Sequence, residues 1–183
     1  MATAINIDAA RQMAFEEMTQ LKERIIANMQ AQGAVASGKT IRSLQVVAEG
    51  DSIALISAQQ MPFGTLETGR RGGAVPSNFV SIIMQWLQDK GIKAAPIPYK
   101  RQPSERWQPK YTAAERGQMS LAGAIAHTIR KSGTKLFREG GRDTIYSQEI
   151  PKTIEAIQTK LSALLQSSIT RTIEDEFKEY RRK

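Results

Sequence analysis

The chain has 183 residues, 26 Lys or Arg against 18 Asp or Glu for a net charge of +8, one histidine and no cysteine. That length supports one ordinary domain with a real core and is short for two. The lack of cysteine excludes disulfides, thiolate metal sites and Cys nucleophiles and fits assembly in a reducing compartment. The first 30 residues lack an apolar stretch and nowhere do 18 apolar residues run together, so the sequence predicts neither a secretory leader nor a membrane span.

Residues 9–31 carry a helical pattern, with Ala14, Met18, Leu21, Ile25 and Met29 on one face, a start at the capping carboxylate of Asp8 and a stop near Gly33. Residues 33–40, Gly-Ala-Val-Ala-Ser-Gly-Lys-Thr, match the phosphate-loop pattern letter for letter. A working phosphate loop lies between a buried strand and a helix, so that backbone N–H groups and a helix N-terminus converge on the phosphates. Here the order is inverted: a helix precedes the glycines and strands follow. Ser43–Glu49 and Ser52–Ser57 are rich in Val, Ile and Leu and are separated by the turn signal Gly50-Asp51. No strand ending in a Walker B aspartate follows either, since Asp51 lies in the turn.

Residues 61–73 hold five glycine or proline breaks and read as an ordered loop or a single helical turn. A core helix is predicted over 77–90, capped by Ser77, with Phe79, Ile82, Ile83, Trp86 and Leu87 on one face and a Schellman ending at Gly91-Ile92. From Lys93 to Tyr111 the period vanishes among Pro96, Pro98, Pro103 and Pro109, and an extended loop or arm fits best. Thr112 and Glu115 make a capping box for a helix to about Ser132, with Leu121, Ile125 and Ile129 facing inward. Gly117, Ala122, Gly123, Ala124 and Ala126 permit close packing there, and Gly133 ends the helix.

Gly140-Gly141-Arg142-Asp143 is a second glycine-rich break, with Asp143 placed to cap a short turn holding Ile145 and Tyr146. The last helix is predicted over 152–180, with Pro151 in its first turn and Ile154, Ile157, Leu161, Leu164, Ile169, Ile173, Phe177 and Tyr180 keeping one face. Its length of about 45 Å exceeds what a single small domain with a radius of gyration of about 16 Å needs, which points to a projecting end or a contact with a neighbouring subunit. Taken together the pattern is α+β: a small antiparallel sheet built on the hairpin at about 43–57, open to further strands, packed with several helices in a single domain over 1–183.

The charge is unevenly placed. Residues 1–92 hold 8 basic and 8 acidic side chains and residues 143–183 hold 7 of each, whereas residues 93–142 hold 11 basic against 3 acidic. Such a block attracts phosphates or an acidic protein surface, although neighbours in sequence need not form one patch in space. Chemistry is poorly provided for. His127 lies among Ile125, Ala126 and Ile129 and reads as a surface or packed imidazole rather than a base. Glu67, before Arg70 and Arg71, reads as a local ion pair, and Glu174, Asp175, Glu176 and Glu179 as a solvated helix face. The sequence therefore predicts a protein that is not an enzyme, with no catalytic residues, cofactor or metal.

Three runs carry a resemblance: Ser37-Gly38-Lys39-Thr40-Ile41-Arg42-Ser43-Leu44; Phe63-Gly64-Thr65-Leu66-Glu67-Thr68-Gly69-Arg70; and Ser120-Leu121-Ala122 through Gly133-Thr134-Lys135-Leu136-Phe137-Arg138, followed by Gly141-Arg142-Asp143. In order and spacing they resemble the neck, or head-to-tail joining, proteins of tailed bacteriophages, a group often labelled putative tail components. The resemblance spans roughly residues 10–180 and treats the Pro-rich stretch as an elaboration. It implies a structural virion protein whose copies form a ring of six or twelve between portal or adaptor and tail, made in the host cytoplasm, with transient contact with genome DNA and no membrane. Under it the phosphate-loop lookalike becomes a helix-to-strand connection, with Lys39 and Arg42 facing solvent, a partner or the channel. The partner-binding candidates are Arg70, Arg71, Lys100, Arg101, Arg106, Trp107 and Lys110. The alternative reading is a nucleic-acid-binding module using the basic segment 93–142, with Tyr99 or Trp107 as stacking platforms.

Overall fold

The computed structural model describes residues 7–57, 64–100 and 108–182. The fold is α+β, with one two-stranded antiparallel sheet and a long C-terminal helix. The chain gathers into two compact units, each discontinuous in sequence: residues 1–32, 40–60 and 143–183 in the first, residues 33–39 and 61–142 in the second.

In the first unit, helix α1 (Ile7–Ala31) packs on the hairpin of β1 (Leu44–Glu49) and β2 (Ser52–Ser57) and on the terminal helix α7 (Glu149–Arg182). Asp8 falls inside the first turn of α1 rather than capping it, where its charge still complements the helix dipole. The strands pair from Leu44↔Ser57 to Glu49↔Ser52, which leaves Gly50-Asp51 as a two-residue turn with Gly50 at φ 53°, the positive value that the first position of a type I′ or II′ hairpin needs. Ser43 and Ser57 close the open end through their hydroxyls at 2.9 Å. Arg11 of α1 donates to the Gly50 carbonyl at the other end. Leu21, Ile25 and Met29 are buried as expected and are joined by Leu44 and Ile145, each worth roughly 1.5–3 kcal/mol of apolar burial.

The predicted stripe on α1 is interrupted by a charge: Glu17 is buried, and Lys160 of α7 pairs with it. Arg24 meets Glu149 at 3.0 Å and donates to the Thr153 hydroxyl at 2.7 Å. The two helices therefore run antiparallel, and their register brings Ile7 opposite about residue 170. Glu17 is buried while the Lys160 side chain is 53% exposed, so the desolvation cost falls on the carboxylate and offsets much of the attraction. Replacing Glu17 and Lys160 together by leucine should accordingly change stability by less than about 1 kcal/mol, or raise it, whereas Lys160→Leu alone strands the carboxylate and should lower it by about 2 kcal/mol. Denaturant melts of the two variants check this.

Gly33–Gly38 connects to α2 (Lys39–Ser43), a five-residue helix that runs directly into β1. Ser43 thus ends α2 and is not the first residue of the strand. The phosphate-loop lookalike is preceded by α1 and followed by this short helix, an order unlike strand–loop–helix. Lys39 and Arg42 are exposed.

In the second unit, α3 (Thr65–Thr68) is a single turn, one of the two forms open to residues 61–73. The next helix, α4 (Phe79–Asp89), begins two residues later than expected, with Asn78 at the cap position and no side-chain cap bond. Its end is the predicted Schellman motif: Ile92 N–H donates to Leu87 O at 2.8 Å and Gly91 N–H to Gln88 O at 2.9 Å. The face of α4 that meets α5 (Ala113–Ser132) carries Phe79, Ile83 and Leu87, against Ala122 and Ala126. Ile82 and Trp86, expected on that face, are exposed. On α5 the fully buried residues are the small ones, and Leu121, Ile125 and Ile129 pack at the margin. The alanines let the large α4 side chains approach closely, so the inward face is turned toward the small residues.

The capping box forms as predicted: Glu115 N–H donates to Thr112 Oγ1 at 3.1 Å and Thr112 N–H to Glu115 Oε2 at 2.7 Å. The bond from the Thr112 backbone, and then that from its hydroxyl, hold the Glu115 carboxyl below its ordinary value of 4.5. A carboxyl depressed by folding contributes stability above its unfolded pKa and loses it as pH falls through the lower folded value. The stability difference between the parent and Glu115→Gln should therefore be full near neutrality and shrink as pH drops below about 4.5; parallel melts from pH 7 to pH 3 read it.

Candidate functional site

Before α5 the chain lies as a strap along its first turns. Gln118 takes Ala94 N–H on Oε1 and donates Nε2 to Ile92 O, both at 2.9 Å. Ile97 N–H donates to Ala113 O at 2.8 Å. Arg116 donates to the Ile97 and Pro98 carbonyls and stacks over Tyr99 at 4.0 Å, a contact in which the flat guanidinium meets the ring face. Gly117 lies so close beneath the strap that a Cβ would stand 2.1 Å from Ala95 O. Residues 92–99 are thus fixed to α5, and Arg116 is spent on holding them.

A second set of contacts is built at the other end of α5. Gly133 ends that helix at φ 81°, and Thr134 caps the short α6 (Lys135–Arg138), accepting from Phe137 N–H at 3.3 Å. The same hydroxyl accepts from Arg70 N–H at 2.9 Å, while Thr134 N–H donates to Arg70 O at 2.8 Å. Gly73 N–H donates to Arg130 O at 2.8 Å, satisfying a carbonyl that the last turn of α5 would otherwise leave open. Arg142 donates its backbone N–H to Glu67 O at 2.8 Å and Nε to Leu66 O at 3.1 Å. Gly69, at φ 69°, sits where any Cβ would meet Phe137 N at 2.5 Å and Thr134 Oγ1 at 2.6 Å. The Leu66–Arg70 box, the Gly133–Arg138 run and the Gly141-Arg142 turn, far apart in sequence, are therefore one interlocked node. Glu67 is buried within it.

The node decides which basic side chains face outward. Arg70 is half-buried, its guanidinium 5.2 Å from the Phe79 ring centroid and bonded to Ala74 O. Arg71 is exposed beside Gly72, whose Cα lies against the Lys131 carbonyl. Arg130, Lys131, Phe137 and Arg138 are exposed as well, Phe137 at 40%. Lys135 pairs with Glu139 at 3.6 Å.

The basic block of the sequence is consequently two groups. Lys93, Lys100 and Lys110 belong with the strap and cap at the start of α5; Lys110 lies over the Tyr111 ring at 5.3 Å. The Arg71 group lies at its end, about 30 Å away along a 20-residue helix. Arg101, Arg106 and Trp107 fall outside the described residues. Sequence reasoning found Arg71 and missed Arg130, Lys131 and Arg138 as its companions, because only the Thr134–Arg70 and Gly73–Arg130 bonds bring them together. His127 is exposed on α5. Among the described residues no group of three or more His, Asp or Glu side chains is placed to hold a metal, and no helix is long and apolar enough to cross a membrane.

Comparison with family models, with curated proteins and with solved structures finds no match to this chain.

Proposed function

We propose that this chain is a structural subunit of a tailed-phage neck, assembling as a ring between portal or adaptor and tail, and that it performs no chemistry. The observation that carries the reading is the node: two of the three runs that resemble neck proteins, the Leu66–Arg70 box and the Gly133–Arg138 run with its Gly141-Arg142 turn, pack on one another through backbone bonds and close glycine approaches. The α+β fold and a terminal helix of 34 residues, about 51 Å long, agree with it. The basic group at the start of α5, with Arg101 and Arg106 between Lys100 and Lys110 in sequence, docks on an acidic portal or adaptor surface.

A second reading, nucleic-acid binding, is favoured by the exposed cations at both ends of α5. Genome DNA must slide through a neck, and several neutralised phosphates would bind it too tightly at low salt for that. Replacing Arg101, Arg106 and Lys110 together by alanine separates the two. Loss of incorporation into particles, with DNA affinity weak in both proteins at physiological salt, is the expected result. Normal incorporation with a large drop in DNA affinity and a shallower salt slope would favour the DNA reading.

A further inference from the structure

The hairpin has two outer edges, and among the described residues neither meets a further strand. Glu49↔Ser52 closes the two-residue turn, so this pair exchanges ladder bonds and the pairs alternate from there. Val47↔Ala54 and Gln45↔Ile56 are therefore bonded across the hairpin, whereas Val46, Ala48, Ile53 and Leu55 turn their backbone N–H and C=O groups outward. Among the described residues no hydrogen bond reaches those groups. Helix α1 packs on both strands; Leu44, Val46, Ile53 and Leu55 on one face are buried or half-buried, while Gln45, Ala54 and Ile56 on the other are exposed. Proteins ordinarily guard open edges with lysine, proline or a bulge. Here the register runs one to one without a bulge, and of the chain's 26 Lys or Arg and 7 Pro none lies on either strand. Glu49, beside the turn, is the one charge on the two strands. Ser-Ile-Ala-Leu-Ile-Ser over 52–57 is the kind of short, uncharged, β-prone segment that readily pairs with a further strand.

We infer that β1 of one copy adds to β2 of a second copy and continues the sheet across the joint. The two strands are equal in length and opposite in direction, so this pairing is antiparallel, as the pairing inside the hairpin is. At full overlap Val46 and Ala48 exchange bonds with Leu55 and Ile53 of the neighbour. On the exposed face Gln45 then comes opposite Ile56, Val47 opposite Ala54 and Glu49 opposite Ser52, the combinations that the hairpin already makes within itself. No like charges meet. Pairing β2 with β2, or β1 with β1, would leave one edge open in every copy, whereas this joint occupies both, which is how closed sheets dispose of their edges. The joint is heterologous, so it propagates in one direction and yields a ring when the rotation closes. Ring closure rests on the neck reading; the joint itself does not.

The absence of cysteine lets a disulfide read the joint directly. Gln45→Cys, Ala54→Cys and Ile56→Cys are made as three separate full-length proteins; all three positions are exposed, and circular dichroism of each verifies the fold. Across the joint these residues take non-bonded positions, where opposite Cα atoms lie about 4.5 Å apart, within the span of a disulfide. The proteins are mixed in pairs and mildly oxidised, alone and with the portal complex of the same phage. The expected product is a mixed dimer through position 45, to position 56 at full overlap or to position 54 at a two-residue stagger, exceeding every other dimer several-fold. Ala48→Pro removes one outward donor and no bond of the hairpin, so adding it to the Gln45→Cys protein should cut that product several-fold. Residue-resolved hydrogen exchange should slow at Val46, Ala48, Ile53 and Leu55 on assembly. A dominant dimer between positions 54 and 56, or any dominant homodimer, would overturn the proposal in favour of like strands pairing. Absence of a cross-link through position 45 under both conditions would overturn it too, and if the same proteins still bind portal saturably the neck reading survives that failure.

Discussion

Gly69→Ala should lower stability by about 3–5 kcal/mol and loosen the whole stretch from residue 64 to residue 73. Two costs combine. At φ 69° a side chain is strained wherever it points, which is worth about 1–2 kcal/mol. The new methyl would also stand 2.5 Å from Phe137 N and 2.6 Å from Thr134 Oγ1, so the chain must move away from α6. That breaks the reciprocal bonds between Arg70 and Thr134 and leaves their polar groups without partners. Gly50→Ala is the control, since Gly50 has φ 53° with nothing within 4 Å of a Cβ; it should show the backbone cost alone. Urea midpoints for the three proteins give the comparison, and hydrogen exchange should place the extra loss in residues 66–73 and 133–142. Equal losses for Gly69→Ala and Gly50→Ala would contradict the interlocked node.

The second large effect is predicted at Gly117. Alanine in the middle of a helix is ordinarily a gain of about 0.5–1 kcal/mol over glycine. Here the methyl would meet the Ala95 carbonyl oxygen at 2.1 Å, a backbone atom held by bonds from both sides of the strap. Gly117→Ala should therefore destabilise by about 2–3 kcal/mol, or release residues 92–99 from α5 to avoid the clash. Gly123→Ala, on the same helix with open space around its Cβ, should stabilise. Opposite signs for the same substitution six residues apart are the expected outcome; a gain at both positions would mean that the strap does not lie on α5.

What the sequence made legible was written in local codes. The hairpin turn, the Thr112–Glu115 box and the Gly91-Ile92 helix ending depend on residues within a few positions of one another, and each forms as read. The long terminal helix was legible because its apolar period persists over many turns. The burial of Glu17 was not, since its partner Lys160 is 143 positions away and a charge within an apolar stripe looks like an interruption. Nor was the inward face of α5, where Ala122 and Ala126 displace Leu121 and Ile129 from the centre because of what α4 brings against them. The basic segment 93–142 looked like one feature and is two, since a straight helix of 20 residues runs through it and holds its ends apart.

Under the proposed function the terminal helix would link fold to assembly. Its first half is anchored by Glu17, Arg24 and the buried Thr153, and its second half keeps Ile169, Ile173, Phe177 and Tyr180 half or more exposed. A stripe of that kind costs a monomer solubility, and a subunit that meets its neighbours only on a template can carry it until the template supplies them.

Under the proposed function the chain works by assembling at a portal. The most direct measurement is the mass of the purified protein in about 150 mM salt, alone and with its portal complex, by light scattering, followed by electron microscopy of whatever forms. A discrete ring of six or twelve subunits, or saturable addition of copies to the portal, is the expected result. A monomer indifferent to portal, binding DNA instead with a steep salt dependence, would contradict it.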